Sequence, residues 1–270
     1  MSNSNLHPSS SDSSRRDSGV SLNSQEQKQP LTTNTTTPSP QDCMVNKDEF
    51  LKRVVQELKT PLTNMKTALK LLDAAHLKPV QRQRYMQLLN TECDRQNSLM
   101  AGLLELIDLD SEPQPTVMPS VQLADIVPGV VSTYQPLAQE KGIQLGYTIP
   151  ANFPPVSCSE TWVRQIVIHL LHNSLKFTPA GGQVKVQATH QGEYTQLACC
   201  DTGIGIATHE IPRIFDSFYR GRQTMGDNTG AGLGLTIVQQ LLIRCGGSIS
   251  VTSQLGVGSN FKVFLPIAPN

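Results

Sequence analysis

The sequence lacks an excess of charge of either sign. Lysine and arginine together number 22, and aspartate and glutamate together also number 22, so the formal net charge is zero. A chain without a global electrostatic field is not expected to attract nucleic acid or an anionic lipid surface. Any partner must therefore be recognised through local features.

Long apolar runs and closely spaced cysteine pairs are also missing. No run of about 18 apolar residues occurs, and the first residues contain no apolar signal core. We therefore expect no membrane span and a cytoplasmic location. The six cysteines include no C-x-x-C pair, which favours reduced, mostly buried thiols. Cys199 and Cys200 are expected to face opposite sides of a strand, with a redox-active pair as the alternative.

Residues 1–41 contain few branched aliphatic side chains and no phenylalanine, tyrosine or tryptophan. Serine, threonine, asparagine, glutamine and proline dominate instead. Such a segment cannot bury enough apolar surface to offset the entropy cost of ordering. The composition predicts a disordered tail.

Apolar residues recur at steps of three and four over residues 48–72 and again over 85–106. This spacing predicts two helices that form a hairpin over residues 42–110. Pro61 is expected to kink the first helix near Glu57. A single hairpin cannot cover its own apolar stripe, so we expect two hairpins to form a four-helix bundle that uses residues such as Leu99.

The rest of the chain alternates helix and strand signals. Three prolines in residues 111–121 predict a linker. Helices are expected at residues 123–141, 160–177, 209–215 and 232–245, and strands at 143–149, 184–190, 194–200, 248–252 and 260–266. This order predicts an α+β fold, in which residues 122–270 place helices on one face of a mixed sheet.

Two segments of this second domain carry polar groups suited to a nucleotide. In H-L-L-H-N-S-L-K-F-T, residues 169–178, Asn173 and Lys176 share a helix face, where they could meet Mg²⁺ and phosphate. In D-T-G-I-G-I, residues 201–206, the carboxylate of Asp201 could accept a hydrogen bond from adenine. Gly203 and Gly205 would let the backbone approach the ring, although a tight turn explains these glycines equally well.

Of two later segments, the first combines aromatic side chains with cations and the second is rich in glycine. F-D-S-F-Y-R-G-R, residues 215–222, precedes the polar stretch 223–229, which is expected to be a mobile lid. G-A-G-L-G-L, residues 230–235, opens a helix whose free N–H groups could bind phosphate. The pattern is neither a dinucleotide fingerprint nor a Walker loop, because the required acidic residue and the G-K-S/T sequence are absent.

In order and spacing, the four segments resemble the N, G1, F and G2 boxes of the histidine-kinase ATP-binding domain, an α/β sandwich of the ATPase fold shared with gyrase and heat-shock chaperones. The segment D-E-F-L-K-R-V-V-Q-E-L-K-T-P-L-T, from Asp48, similarly resembles the family's phosphoacceptor helix. The resemblance covers about 220 residues and implies a two-component histidine kinase homologue that binds ATP and Mg²⁺. It implies the following roles: Asp201 for adenine, Gly203 and Gly205 for its pocket, Asn173 for Mg²⁺, Lys176 and Arg220 for phosphates, and Gly230, Gly232 and Gly234 for the lid and helix start.

The main departure from the family is Gln56, which stands where the phosphorylated histidine is expected. The lone pair of an amide nitrogen is delocalised, so Gln56 should not become phosphorylated. An engineered exchange of histidine for glutamine would give the same sequence. Glu57 and Thr60 match the residues that the family uses for proton transfer and for orienting water towards a phosphoaspartate.

A second departure is His169, at a position where asparagine is usual. The chemotaxis kinases resemble the chain here, and His169 either alters metal or proton handling or only packs on the helix. Three functions stay open: a kinase for a histidine on another chain, a response-regulator phosphatase, and a non-catalytic modulator. The expected partners are a second copy or a related histidine kinase, and the receiver domain of a response regulator.

Overall fold

The computed structural model describes residues 40–74, 76–113, 115–150, 152–221 and 230–269, with side chains from residue 48 onward. The predicted tail lies outside the described residues as far as position 39, and the predicted lid lies outside them entirely. Met44–Asn270 form one compact unit, in which the hairpin packs with the second domain.

The predicted hairpin is confirmed by two helices of equal length. Helix α1 spans Pro40–Leu72 and helix α2 spans Pro79–Ser111. Pro61 lies inside α1, and the residues on both sides of it stay α-helical. Because proline has no N–H, the carbonyl of Glu57 loses its helical donor, which weakens α1 beside the phosphoacceptor position.

Strands and helices of a mixed sheet follow the hairpin. The elements are β1 (Ser120–Val121), α3 (Leu123–Glu140), β2 (Gln144–Thr148), β3 (Val156–Ser157), α4 (Glu160–Phe177), β4 (Gln183–Gln191), β5 (Tyr194–Asp201), a 3₁₀ turn (Ile211–Arg213), α5 (Gly234–Arg244), β6 (Ser248–Gln254) and β7 (Gly258–Pro266). The five-stranded sheet has the order β2-β4-β5-β7-β6, in which the β2–β4 pair is parallel and the other pairs are antiparallel. A separate two-stranded sheet pairs β1 with β3. The α+β fold class is confirmed.

Alternating burial explains how the sheet and its helices pack. Leu197 and Cys199 of β5 are buried under the helices, whereas Cys200 is only half-buried, as the sequence predicted for this pair. Helix α4 buries a continuous stripe that includes Trp162, Ile166 and Leu170. The core therefore lies between the sheet and helices α3, α4 and α5.

The prediction of a helix over residues 209–215 is corrected by the structure. Only Ile211–Arg213 are helical, as a 3₁₀ turn, because the N–H groups of Arg213 and Asp216 bond to carbonyls three residues earlier. The helix predicted from residue 232 begins at Gly234, since Gly232 has a left-handed φ of 72°. Strands β1 and β3 were missed because two residues show no periodicity.

The prediction that Leu99 packs against a second hairpin is also corrected. Its side chain is 2% exposed and belongs to the core of a single chain, so Leu99 cannot be an interface residue of the bundle. Apolar side chains of the hairpin that remain exposed include Leu51, Val55, Leu62, Leu69, Met86, Leu88, Met100, Leu104 and Ile107.

Candidate functional site

Most of the predicted binding residues surround one cavity of about 290 Å³ between α2, α4 and the start of α5. Helix α4 presents His169, Asn173 and Lys176 to it, because positions three and four apart share a helix face. The predicted residues that line the cavity are His169, Asn173, Lys176, Asp201, Gly205, Arg220, Gly230, Gly232 and Gly234.

Asp201 lies at the end of β5, and its two carboxylate oxygens differ in the hydrogen bonds that they accept. Its Oδ1 accepts hydrogen bonds from the N–H groups of Gly203 at 2.9 Å and Ser259 at 3.1 Å. Its Oδ2 accepts only a longer bond, of 3.4 Å, from the hydroxyl of Ser174. Burial raises the pKa of Asp201, and these three hydrogen bonds oppose the rise. Oδ2 is therefore the oxygen that can accept a hydrogen bond from a ligand.

The glycines after Asp201 have packing roles that no other residue could fill. Gly205 has a φ of 70°, and a Cβ there would overlap the carbonyl oxygen of Gln254. A Cβ at Gly203 would lie 2.6 Å from the carbonyl oxygen of Phe177. Gly205 lines the cavity, and Gly203 holds the turn beneath Asp201.

The G2 segment closes the cavity beside Lys176. A Cβ on Gly230 would lie 3.0 Å from Nζ of Lys176, so this ammonium group lies against the glycine-rich backbone. The N–H of Phe218 donates to the carbonyl of Gly232 at 2.9 Å, which joins the F segment to the G2 segment. A cation and the N-terminus of α5 thus line the same cavity, where phosphate oxygens could bind.

Helix α2 of the hairpin forms a further wall, which the sequence did not reveal. Ser98, Gly102 and Glu105 line the cavity, and a Cβ on Gly102 would lie 3.0 Å from Cδ1 of Leu233. The carboxylate oxygens of Glu105 lie 3.0 and 3.2 Å from Nε2 of His169. His169 therefore does more than pack on its own helix, since it links the N box to the hairpin.

The phosphoacceptor region of α1 lies outside the cavity. Gln56 is exposed, and its carbonyl accepts a hydrogen bond from the hydroxyl of Thr60 at 3.1 Å. Nη2 of Arg95 lies 2.7 Å from the carboxylate of Glu57. Glu57 is thus held in an ion pair with α2.

Arg220 of the F segment lies within electrostatic reach of this ion pair. Burial lowers the pKa of the Arg220 guanidinium, and the positive charge of Arg95 lowers it further. The negative charges of Glu57 and Glu92 act in the opposite direction. The same arginine lines the cavity, so it connects the nucleotide side of the chain with the phosphoacceptor side.

Two family models match the chain in the order that this arrangement requires. The model of the His Kinase A (phospho-acceptor) domain matches residues 46–112, and the model of the histidine kinase-, DNA gyrase B- and HSP90-like ATPase matches residues 158–269. The chain belongs to the two-component histidine kinase family. The matched ATPase model implies that residues 158–269 form an ATP-binding domain.

Individual relatives agree with this assignment. The adaptive-response sensory kinase SasA of Synechocystis sp. is 31% identical over 82% of this chain and 59% of its own length. Full-length ShkA in complex with AMPPNP is 26% identical, with a TM-score of 0.57 over 86% of this chain and 47% of that chain. ThkA in complex with the response regulator TrrA shares the fold, with a TM-score of 0.67 at 18% identity over 85% of this chain and 64% of that chain.

The chain spans between 26% and 61% of the length of the curated relatives that it matches. Within the part of the chain that the structure describes, none of the helices of this histidine kinase is long and apolar enough to cross a bilayer.

Proposed function

We propose that this chain binds ATP with Mg²⁺ and transfers the γ-phosphoryl group to a histidine on a partner chain. The observation that carries this proposal is a contrast within one molecule. The N, G1, F and G2 segments converge on one cavity, while Gln56 stands exposed at the phosphoacceptor position. An intact donor site beside an acceptor position without a nucleophile favours transfer to another chain.

The residues around the cavity fit ATP and Mg²⁺. Oδ2 of Asp201 can accept a hydrogen bond from the amino group of adenine. The amide oxygen of Asn173 is a hard ligand suited to Mg²⁺, which proteins commonly hold together with phosphate oxygens. When bound, Mg²⁺ supplies neutralisation of charge on the phosphates. Lys176 and Arg220, which both line the cavity, add positive charge.

In the transfer, the imidazole nitrogen of the partner's histidine attacks the γ-phosphorus in line with the leaving oxygen. The bond between the γ-phosphorus and the bridging oxygen breaks, ADP leaves with the electron pair, and the other ring nitrogen of the phosphorylated imidazole loses its proton to water. Lys176 and Arg220 stabilise the negative charge that moves onto the leaving group, and Asn173 helps to orient the phosphates. This chain contributes position and charge, and the partner contributes the nucleophile.

The exposed apolar side chains of the hairpin support assembly with that partner. Leu62, Leu69 and Leu88 belong to the predicted stripe and stay uncovered within one chain. A second hairpin, from another copy or from a related histidine kinase, could cover them in a four-helix bundle. A related kinase would also bring the missing histidine.

Transfer to a partner can be tested with γ-labelled ATP, Mg²⁺ and a histidine-bearing kinase hairpin. We expect acid-labile label on the partner and none on this chain. Asn173→Ala should remove the label, by on the order of 100-fold, because the metal loses its protein ligand. Asn97→Ala, at an exposed position of α2, is the matched control and should retain the label.

Failure to label any hairpin, despite measurable binding of nucleotide, would contradict the kinase proposal. That result would leave a response-regulator phosphatase or a modulator that needs only the exposed hairpin surface. If the chain is a modulator, Asn173→Ala should leave its effect on the partner kinase unchanged.

A phosphatase for a response regulator is the second candidate, and Thr60 is the residue that favours it. Its hydroxyl is exposed and donates to the carbonyl of Gln56, which leaves an oxygen lone pair for an attacking water. We expect Thr60→Ala to slow dephosphorylation of a phosphorylated receiver domain by about 10- to 100-fold.

Thr63→Ala is the control for this test. Thr63 is also exposed on α1, and its hydroxyl donates to the carbonyl of Lys59 at 2.9 Å in the same geometry. The rate of dephosphorylation is measured as the release of phosphate from the receiver domain. Equal losses of this rate in the two variants would indicate an effect on the helix and contradict a role for Thr60.

A further inference from the structure

His169 and Glu105 form a hydrogen-bonded pair at the wall of the nucleotide cavity. The carboxylate oxygens of Glu105 lie 3.0 and 3.2 Å from Nε2 of His169. The two side chains are 21% and 19% exposed, so both are largely shielded from bulk water. Glu105 lies on α2 of the hairpin and His169 on α4 of the ATP-binding domain. An imidazole held by a carboxylate is the arrangement in which enzymes orient a general base.

The carboxylate decides which ring nitrogen of His169 carries the proton. An ionised carboxylate only accepts hydrogen bonds, so Nε2 of the neutral imidazole is the donor to Glu105. Within the part of the chain that the structure describes, both hydrogen bonds of this ring are made through Nε2. Nδ1 is therefore the nitrogen that keeps a lone pair, and it is the basic atom of the pair.

The basic nitrogen faces the glycine-rich start of α5. A Cβ on Gly234, the first residue of α5, would lie 3.2 Å from Nδ1 of His169. Because glycine has no side chain, the ring and the backbone of Gly234 border the cavity together. Lys176 lines the same cavity beside Gly230. The lone pair of Nδ1 thus belongs to the cavity in which the phosphates of ATP would bind.

His169 also lies one helical turn before Asn173, the proposed Mg²⁺ ligand. Both residues line the cavity, because positions four apart share a face of α4, with about 5–6 Å between their Cβ atoms. A γ-phosphate held beside Asn173 is then within reach of Nδ1 through one water molecule. Gln56 lies outside this cavity, on the exposed surface of α1.

Contacts around Glu105 hold its helix against the ATP-binding domain. A Cβ on Gly102, one turn before Glu105, would lie 3.0 Å from Cδ1 of Leu233, so α2 lies close to the start of α5. At the end of α2, the carboxylate of Glu112 accepts a hydrogen bond from the indole N–H of Trp162 at 3.3 Å. The position of the Glu105 carboxylate is therefore set before any nucleotide binds.

We propose that this chain also hydrolyses ATP, with His169 as the general base and Glu105 as its positioning residue. Nδ1 of His169 takes a proton from a water molecule while the water oxygen attacks the γ-phosphorus in line with the bridging oxygen. The bond between the γ-phosphorus and the bridging oxygen breaks, and its electron pair goes to ADP. Glu105 stabilises the imidazolium that forms. The products are ADP and inorganic phosphate, and the proton on Nδ1 passes to solvent.

This activity rests on the binding of ATP with Mg²⁺ proposed above, and not on transfer to a partner. Hydrolysis needs only a water molecule as the nucleophile, so the replacement of histidine by Gln56 does not prevent it. Within this chain, His169 brings a base to the donor site where Gln56 brings no acceptor. The hairpin contributes Glu105, so hydrolysis requires α2 to lie against the ATP-binding domain.

The experiment gives the full chain ATP and Mg²⁺ without any partner and measures the release of inorganic phosphate. Titration calorimetry with ATP is run on the same samples. We expect the wild type to release phosphate, and we expect His169→Asn to lower kcat by about 100-fold while KM changes by less than about threefold, because the base acts on water. His190→Asn, at an exposed position of β4, is the matched control and should keep the wild-type rate.

The role of Glu105 has its own variant and a readout that does not depend on activity. Glu105→Gln should lower kcat by about 10-fold, because an amide does not stabilise the imidazolium. Asp110→Asn, exposed on the same helix, is the control. Nitrogen NMR of the imidazole rings without nucleotide should find the proton of His169 on Nε2 in the wild type. Glu105→Gln should mix the two tautomers, since an amide can accept or donate.

A wild-type chain that binds ATP and releases no phosphate would overturn the proposal. Release that His169→Asn or Asn173→Ala leaves unchanged would also overturn it, because the phosphate would then come from another site. Acid-labile label on His169 would do the same, since the ring would be the nucleophile. These results are distinct from a failure of the proposed function, which appears as an unlabelled hairpin in the transfer experiment.

Discussion

Gln56→His is expected to make this chain label itself from γ-labelled ATP, where the wild type takes up no label at that position. Imidazole offers a nitrogen lone pair near neutral pH, and a carboxamide does not, so the gain should be on the order of 100-fold or more over background. Gln56 is exposed, and Thr60 bonds to its backbone carbonyl, so the exchange leaves the known contacts intact. The measurement is acid-labile, base-stable label on the hairpin.

Lys52→His is the matched control for this prediction. Lys52 is exposed on α1 one turn before Gln56, so the variant carries an imidazole on the same helix at the wrong height. Label on both variants would mean that the reaction is not specific to the phosphoacceptor position. Label on neither, with ATP bound, would contradict a kinase-competent ATP-binding domain and favour the modulator.

Asp201→Asn is expected to weaken ATP binding by about 10- to 100-fold, which corresponds to a hydrogen bond to a charged group worth roughly 1.5–3 kcal/mol. The remaining amide oxygen can still accept from the N–H groups of Gly203 and Ser259, as Oδ1 does now. The amide nitrogen would replace Oδ2 and set one donor against the amino group of adenine. Titration calorimetry measures the loss.

Asp216→Asn serves as the control, since Asp216 is an exposed carboxylate of the F segment, 3.7 Å from Arg213. It should bind ATP as the wild type does. Equal weakening in both variants would show that removal of negative charge, and not the loss of one acceptor, lowers the affinity.

The raised pKa of Asp201 also sets the pH dependence. Because burial favours the protonated form, ATP binding should be lost on acidification at a higher pH than an ordinary aspartate would give. The contribution of Asp201 to the free energy of unfolding depends on pH in the opposite direction. A carboxyl group with a raised folded-state pKa favours the folded state at low pH, and this contribution is lost as pH rises through that pKa. Asp201→Asn should therefore not lower the urea midpoint at neutral pH.

The predicted site residues that line one cavity belong to contiguous motifs. Asn173 and Lys176 lie three positions apart on one helix, and Asp201 ends an apolar strand, so local geometry already brings their groups to one edge of the fold. Their separate segments then meet in one cavity. The prediction that Gln56 is not phosphorylated also needs no tertiary structure, because a carboxamide is a poor nucleophile in any fold.

Leu99 and Glu105 show where local patterns fail. Both lie on α2, and helical periodicity places a residue on a face without stating what covers that face. Leu99 is covered within its own chain, and Glu105 meets His169, which lies far away in the sequence.

The sequence by itself determined the order of a helical hairpin followed by an α/β sheet, and it was enough to predict the nucleotide-binding segments and a phosphoacceptor position without histidine, because periodicity and side-chain chemistry act over a few residues. Only the tertiary structure decided that α2 walls the cavity, that Arg95 holds Glu57, and that Gly102 packs against Leu233. These are contacts between surfaces that are remote along the chain, and their partners are selected by shape and charge once the hairpin and the sheet have formed.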